Sequence, residues 1–129
     1  MNIEIILKEA QKKLDGRTHS KKLDAEILLK KTLSVSRSFL ISHKHKILTN
    51  KETKEYFSLV ERRLDKEPIA YIIGEKEFWS LQLIVSSATL VPRPETELLV
   101  EETVKIIPKE SQKFILELGT GCGAIAIAI

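Results

Sequence analysis

Residues 117 to 123 read Glu-Leu-Gly-Thr-Gly-Cys-Gly. Glycines at every second position let the backbone turn tightly and approach a ligand with no side chain in the way, and a helix starting just beyond them presents free amides. The apolar run Phe114-Ile115-Leu116-Glu117-Leu118 ahead of this stretch is predicted to be a buried strand, and Ala124 to Ile129 behind it the start of a crossover helix. Strand, glycine loop and helix in that order form a cradle for a nucleotide or nucleoside. Gly119, Gly121 and Ala124 also satisfy the dinucleotide spacing Gly-x-Gly-x-x-Gly/Ala. Structural glycines in a plain strand-turn-helix are the bland alternative.

The other chemistry-bearing side chains form weaker patterns. Cys122 would sit at a helix N-terminus, where thiol pKa values fall, but it reads as a small loop residue and not as a nucleophile. His43 and His45 are two apart, point to different sides of a helix and have no third ligand nearby, so they are read as a solvated face. Asp24 and Glu26 face apart for the same reason and are read as surface or capping charges. Phe78 and Trp79 are read as interdomain packing before a stacking platform for bases.

The elements that position these residues follow from periodicity. Ile3, Ile6, Leu7, Ala10 and Leu14 share one face of a first helix that Gly16 can stop. A second helix over 20–33 should bury Leu23, Ile27, Leu28 and Leu33. Ser36 can cap a short third helix, and Thr49 with Glu52 spells a capping box for a fourth, whose apolar face is Tyr56, Phe57, Val60 and Leu64. Pro68 ends that helix near Glu67. Alternation through Leu81, Leu83 and Val85 predicts a hairpin with its turn at Ser86-Ser87 and a returning strand at Thr89-Leu90-Val91. Pro94 opens a further helix with Glu95 and Glu97 in its first turn, followed by the polar segment from Pro108 to Lys113.

With 43% hydrophobic and 30% charged residues, the chain has enough apolar material for a core and enough charge for solubility, which excludes a disordered class. No run approaches the ~20 apolar residues that span a bilayer, so the expected setting is cytoplasmic with no membrane partner. A single cysteine excludes an intrachain disulfide. The net charge of +3 hides an asymmetry: residues 1–66 carry 16 Lys/Arg against 9 Asp/Glu, and the remainder 5 against 9. A basic front half can face RNA, a ribosome or an acidic protein, although solubility alone explains Lys-rich helices.

Glu117 lies two residues before the first glycine and a third glycine stands at 123, the acid-x-Gly-x-Gly-x-Gly form of the first S-adenosyl-L-methionine methyltransferase motif. Further motifs precede it in order: Glu67-Pro-Ile-Ala-Tyr71 through Gly74 to Phe78-Trp79, then Leu90-Val-Pro92-Arg93-Pro94-Glu95-Thr96-Glu97. Together with Asp24-Ala-Glu26, these resemble the release-factor glutamine methyltransferase (HemK/PrmC) family over nearly the whole chain.

The resemblance implies an α/β protein in three parts. These are a small N-terminal helical bundle over 1–67 that recognises release factors, a β-hairpin linker over 68–93, and the first strand and start of helix of a class I Rossmann-like methyltransferase domain over 94–129. It implies methyl transfer from S-adenosyl-L-methionine to the glutamine of the Gly-Gly-Gln loop of peptide chain release factors. Glu117, Gly119, Thr120, Gly121, Cys122 and Gly123 would bind the cofactor, with Arg93, Thr96 and Glu97 near its edge. A monomer is expected, with neither a metal nor direct nucleic-acid binding.

The family's catalytic Asn-Pro-Pro-Tyr motif and its ribose-holding acid are absent from this sequence, which has no Asn after Asn50. The expectation is therefore a truncated methyltransferase, inactive alone and without catalytic residues of its own. The alternative is a basic helical module that docks on a release factor or ribosomal RNA without chemistry.

Overall fold

The computed structural model describes residues 1–107 and 112–129, so the stretch from Pro108 to Ser111 in the polar segment lies outside the described residues. The chain divides into two compact units, Met1–Ile73 and Gly74–Ile129. It is α/β and mostly helical, with one two-stranded antiparallel sheet among the described residues.

The first unit contains α1 (Ile3–Lys13), α2 (Lys21–Leu33), α3 (Arg37–Ser42), α4 (Asn50–Leu64) and α5 (Ile69–Ile73). The caps predicted at Ser36 and at Thr49 with Glu52 form, and Asn2 adds one the sequence reading did not name. The Asn2 side chain accepts from Ile5 N at 2.9 Å, Ser36 Oγ accepts from Phe39 N at 3.1 Å, and Thr49 and Glu52 make both capping-box bonds. Each bond satisfies an amide that the helix itself leaves free, and such caps contribute about 1 kcal/mol. The start of the chain pairs with the segment before α4, because Ile3 N donates to Lys46 O at 3.1 Å and Leu48 N to Met1 O at 2.9 Å. Ile3, Ile6, Ala10 and Leu14 meet Leu28, Leu29, Leu40, Tyr56 and Val60 in one core.

The buried face of α2 includes Leu28 as expected, and Leu33 packs against the core, but the face is rotated away from Leu23. Leu23 is 50% exposed, while Asp24, Ala25, Leu28 and Leu29 are buried. Two polar contacts set this rotation. The Tyr56 hydroxyl donates to Ala25 O at 3.1 Å, and Arg63 Nε meets Asp24 Oδ2 at 2.7 Å. Asp24 is thus not a surface charge: it is 3% exposed and also accepts from Thr18 Oγ1 (3.0 Å) and Ser20 Oγ (2.8 Å). A buried carboxylate persists only when paired and hydrogen-bonded in this way.

The second unit starts with β1 (Glu75–Phe78) and β2 (Leu81–Ile84), paired Phe78 with Leu81 through Glu75 with Ile84. The hairpin is real but its turn is at Trp79-Ser80, with φ +50° and +60°, and the predicted strand at Thr89-Leu90-Val91 does not form. Direct pairing of the two short strands puts Phe78 and Leu83 on one face, where both are buried, and leaves Ile84 exposed on the other. Phe78 therefore packs within its own unit, against Leu83, Val100 and Ala124. A 3₁₀ turn, Pro94–Thr96, leads into α6 (Glu97–Ile106), and α7 (Ala124–Ala128) follows the glycine loop.

Phe114 to Leu118 is not a strand. Phe114, Leu116 and Leu118 are almost fully exposed, and no strand lies beside them among the described residues. A strand exists only through neighbours that take up its amides and carbonyls, so an apolar run without them forms none and stays solvated.

Candidate functional site

The glycine loop is a tight turn. Gly119, Gly121 and Gly123 have φ of +73°, +58° and +77°, and Gly123 N donates to Thr120 O at 2.9 Å. A side chain in that region costs roughly 1–2 kcal/mol, so the backbone conformation itself calls for glycine. At Gly119 an added Cβ would meet nothing within 4 Å, and at Gly121 only the Gly119 carbonyl oxygen at 3.9 Å. At Gly123 an added Cβ would meet Ile127 Cδ1 at 3.4 Å.

Thr120 and Glu117 are brought together, with the hydroxyl donating to Glu117 Oε2 at 2.9 Å across the start of the loop. Cys122 is half-buried and packs on the cluster of Phe78, Leu83, Val100 and Ala124, which ties the loop to the hairpin and α6. Its place in this packing agrees with a small loop residue.

The Pro-Arg-Pro-Glu-Thr-Glu segment is used differently. Arg93 is exposed, its carbonyl accepts from Thr96 N at 3.0 Å, and its side chain makes no ion pair among the described residues. Thr96 is half-buried. Glu97 Oε1 accepts from the backbone N–H of Trp79 at 2.9 Å, so this carboxylate holds the hairpin turn against the start of α6. Sequence reasoning missed that bond because a side chain meets a backbone amide 18 residues away, which no spacing rule signals. The Asp24–Arg63 pair was missed for the same reason, at a separation of 39 residues.

No group of three or more His, Cys, Asp or Glu that could hold a metal occurs among the described residues, and none of their helices is long and apolar enough to cross a membrane. His43 is exposed and stacks on Phe39 with centroids 4.0 Å apart.

Comparison with known proteins is decisive on kinship. Residues 6–74 match the family model described as the PrmC N-terminal domain, which is more than half of the chain. This chain belongs to the HemK/PrmC family and corresponds to its N-terminal part. Among family members, the "Release factor glutamine methyltransferase" of Buchnera aphidicola (subsp. Baizongia pistaciae) is 45% identical over 129 residues, all of this chain and 47% of that protein. The protein of the same name from Coxiella burnetii is 44% identical over the same length, again covering 47% of its own. The Escherichia coli K12 protein so named is 45% identical over 123 residues, 95% of this chain and 44% of that protein. The chain thus spans about half the length of the curated relatives it matches.

Proposed function

We propose that these residues are the front part of a release-factor glutamine N5-methyltransferase that uses S-adenosyl-L-methionine. One observation carries the reading: 44–45% identity extends over all 129 residues of the chain to proteins of that name. In this reading residues 1–67 recognise a peptide chain release factor, 68–93 link, and 94–129 begin the Rossmann-like methyltransferase domain. The exposed apolar side chains of Phe114, Leu116 and Leu118 would then enter a parallel sheet completed by strands outside these residues. The protein would act as a cytoplasmic monomer.

Glu117, Gly119, Thr120, Gly121, Cys122 and Gly123 form the cofactor cradle in this proposal, with Arg93, Thr96 and Glu97 at its edge. The cofactor supplies a methyl group on a positively charged sulfur. The acceptor is a side-chain amide nitrogen whose lone pair is delocalised into its carbonyl, the resonance that also flattens a peptide bond. Transfer therefore depends on positioning and on polar partners for that amide. The Asn-Pro-Pro-Tyr motif is not among these 129 residues, so the proposal includes that they do not transfer methyl unaided.

A chimera tests the reading. These residues replace the matching stretch of the Escherichia coli relative, and the product is incubated with S-adenosyl-L-methionine and a release factor. Mass spectrometry should find one added methyl on the glutamine of the Gly-Gly-Gln loop. A chimera that folds by circular dichroism yet leaves that glutamine unmodified would sink the assignment.

A further inference from the structure

The first unit has an open groove of about 320 Å³ between α1, α2 and α3. Its floor is apolar, made by Ile3 and Leu40, both buried, with Leu7 partly buried, while Ile41 on its lip is 59% exposed. The rim is charged. Glu4 is neutralised by Lys8 at 2.7 Å and Glu26 by Arg37 at 2.8 Å, whereas Lys22 and Lys44 form no ion pair among the described residues. Lys8, Lys22, Arg37 and Lys44 stand against Glu4 and Glu26, so the rim is net positive above an apolar trough, on a half of the chain that is strongly basic.

The chemistry of the groove narrows its occupant. A small-molecule pocket encloses its ligand and converges fixed polar groups on it, but this groove is open and its least exposed carboxylate, Glu26, is already held by Arg37. A nucleic-acid surface tracks phosphates and stacks bases on aromatic rings, but this groove has no aromatic lining and two carboxylates on its rim. Apolar anchors flanked by acidic side chains complement both features, in the manner of a helix laid in a groove.

We propose that this groove docks an acidic amphipathic helical segment of a partner protein, its apolar face on Ile41 and Leu7 and its carboxylates beside Lys22 and Lys44. This deepens the partner-recognition reading of residues 1–67, and it does not depend on the methyl acceptor. A release factor that fails to be methylated by the chimera while the segment still binds would count against the enzyme reading alone.

The test uses the whole 129-residue chain and a fluorescent synthetic helix with Leu at i, i+3, i+4 and i+7 and Glu on its flanks. Anisotropy should show saturable binding, and NMR shifts should cluster on Leu7, Lys22, Ile41 and Lys44. Ile41→Asp should weaken binding by roughly tenfold or more. The surface double variant K22E/K44E should lose the acidic helix and gain a version carrying Lys in place of Glu, a reversal that loss of fold cannot produce. No saturable binding, shifts mapping elsewhere, equal binding of the Lys helix by the unsubstituted chain, or displacement of the helix by single-stranded RNA at equal concentration would each overturn the proposal.

Discussion

The Met1–Ile73 unit buries its large apolar side chains in one shared core: Ile3, Ile6, Leu14, Leu28, Leu29, Tyr56 and Val60 are all fully enclosed. Among its described residues the Gly74–Ile129 unit encloses Phe78, Leu83, Val100 and Ala124 in a cluster and buries Val85 beside them in sequence, while Leu98, Ile106, Phe114, Leu116 and Leu118 face solvent. Both regions are comparably rich in apolar residues, so composition does not separate them. The difference is whether each apolar face has a partner. Helices supply partners to one another within a short stretch of chain, whereas a parallel strand waits for neighbours that come from far along it.

The contrast can be broken or sharpened by experiment. The chain has a single tryptophan, Trp79, which reports on the second unit, while far-UV circular dichroism is dominated by the helices of the first. In urea the fluorescence transition should precede the dichroism transition, and coincident curves would mean that the two units unfold as one.

The largest expected effect is Asp24→Ala, which leaves Arg63 without its buried partner and should cost the first unit about 3–5 kcal/mol, read from the dichroism transition. A leucine pair comes next: Leu28→Ala should cost about 2–5 kcal/mol by opening a cavity in the core. Leu116→Ala in the second unit should stay within about 0.5 kcal/mol, because its side chain is already in water.

Tyr56→Phe should cost about 1 kcal/mol at neutral pH by removing the bond to Ala25 O. Burial also raises the Tyr56 hydroxyl pKa well above its ordinary value. Its folded-state pKa therefore exceeds the unfolded one, so this stabilisation is whole below roughly pH 10 and is lost as pH climbs toward the folded value. A stability profile across alkaline pH should be flatter in the Phe variant. One substitution should give a gain: Ser80→Gly relieves a left-handed residue in the hairpin turn and should shift the fluorescence transition upward by about 0.5–1 kcal/mol.

Much of the first unit was legible in the sequence because its determinants are local. Ser36 and the Thr49–Glu52 box announce helix starts within three residues of themselves, and the spacing of Ile3, Ile6, Ala10 and Leu14 states which face turns inward. The face of α2 was misjudged by one residue because a carboxylate, Asp24, occupies a position that periodicity reserves for leucine, and its partner Arg63 lies in another helix. The hairpin turn was misplaced because Trp-Ser lacks the Gly or Asn that normally marks a two-residue turn with positive φ at both centres. At the glycine loop the local geometry was legible, since the left-handed angles follow from residue type. The strand predicted over Phe114 to Leu118 is not observed, because strand formation depends on partners that residue type alone does not reveal.

The bond from Trp79 N–H to the Glu97 carboxylate bears on how such a family diverges. A contact between two side chains couples their substitutions, and aligned sequences then record paired changes that betray proximity. A contact to a backbone amide leaves only one column constrained, because every residue at 79 except proline offers the same N–H. The acid at 97 would be held while its partner drifts, and covariation would pass over the contact that fastens this turn to α6.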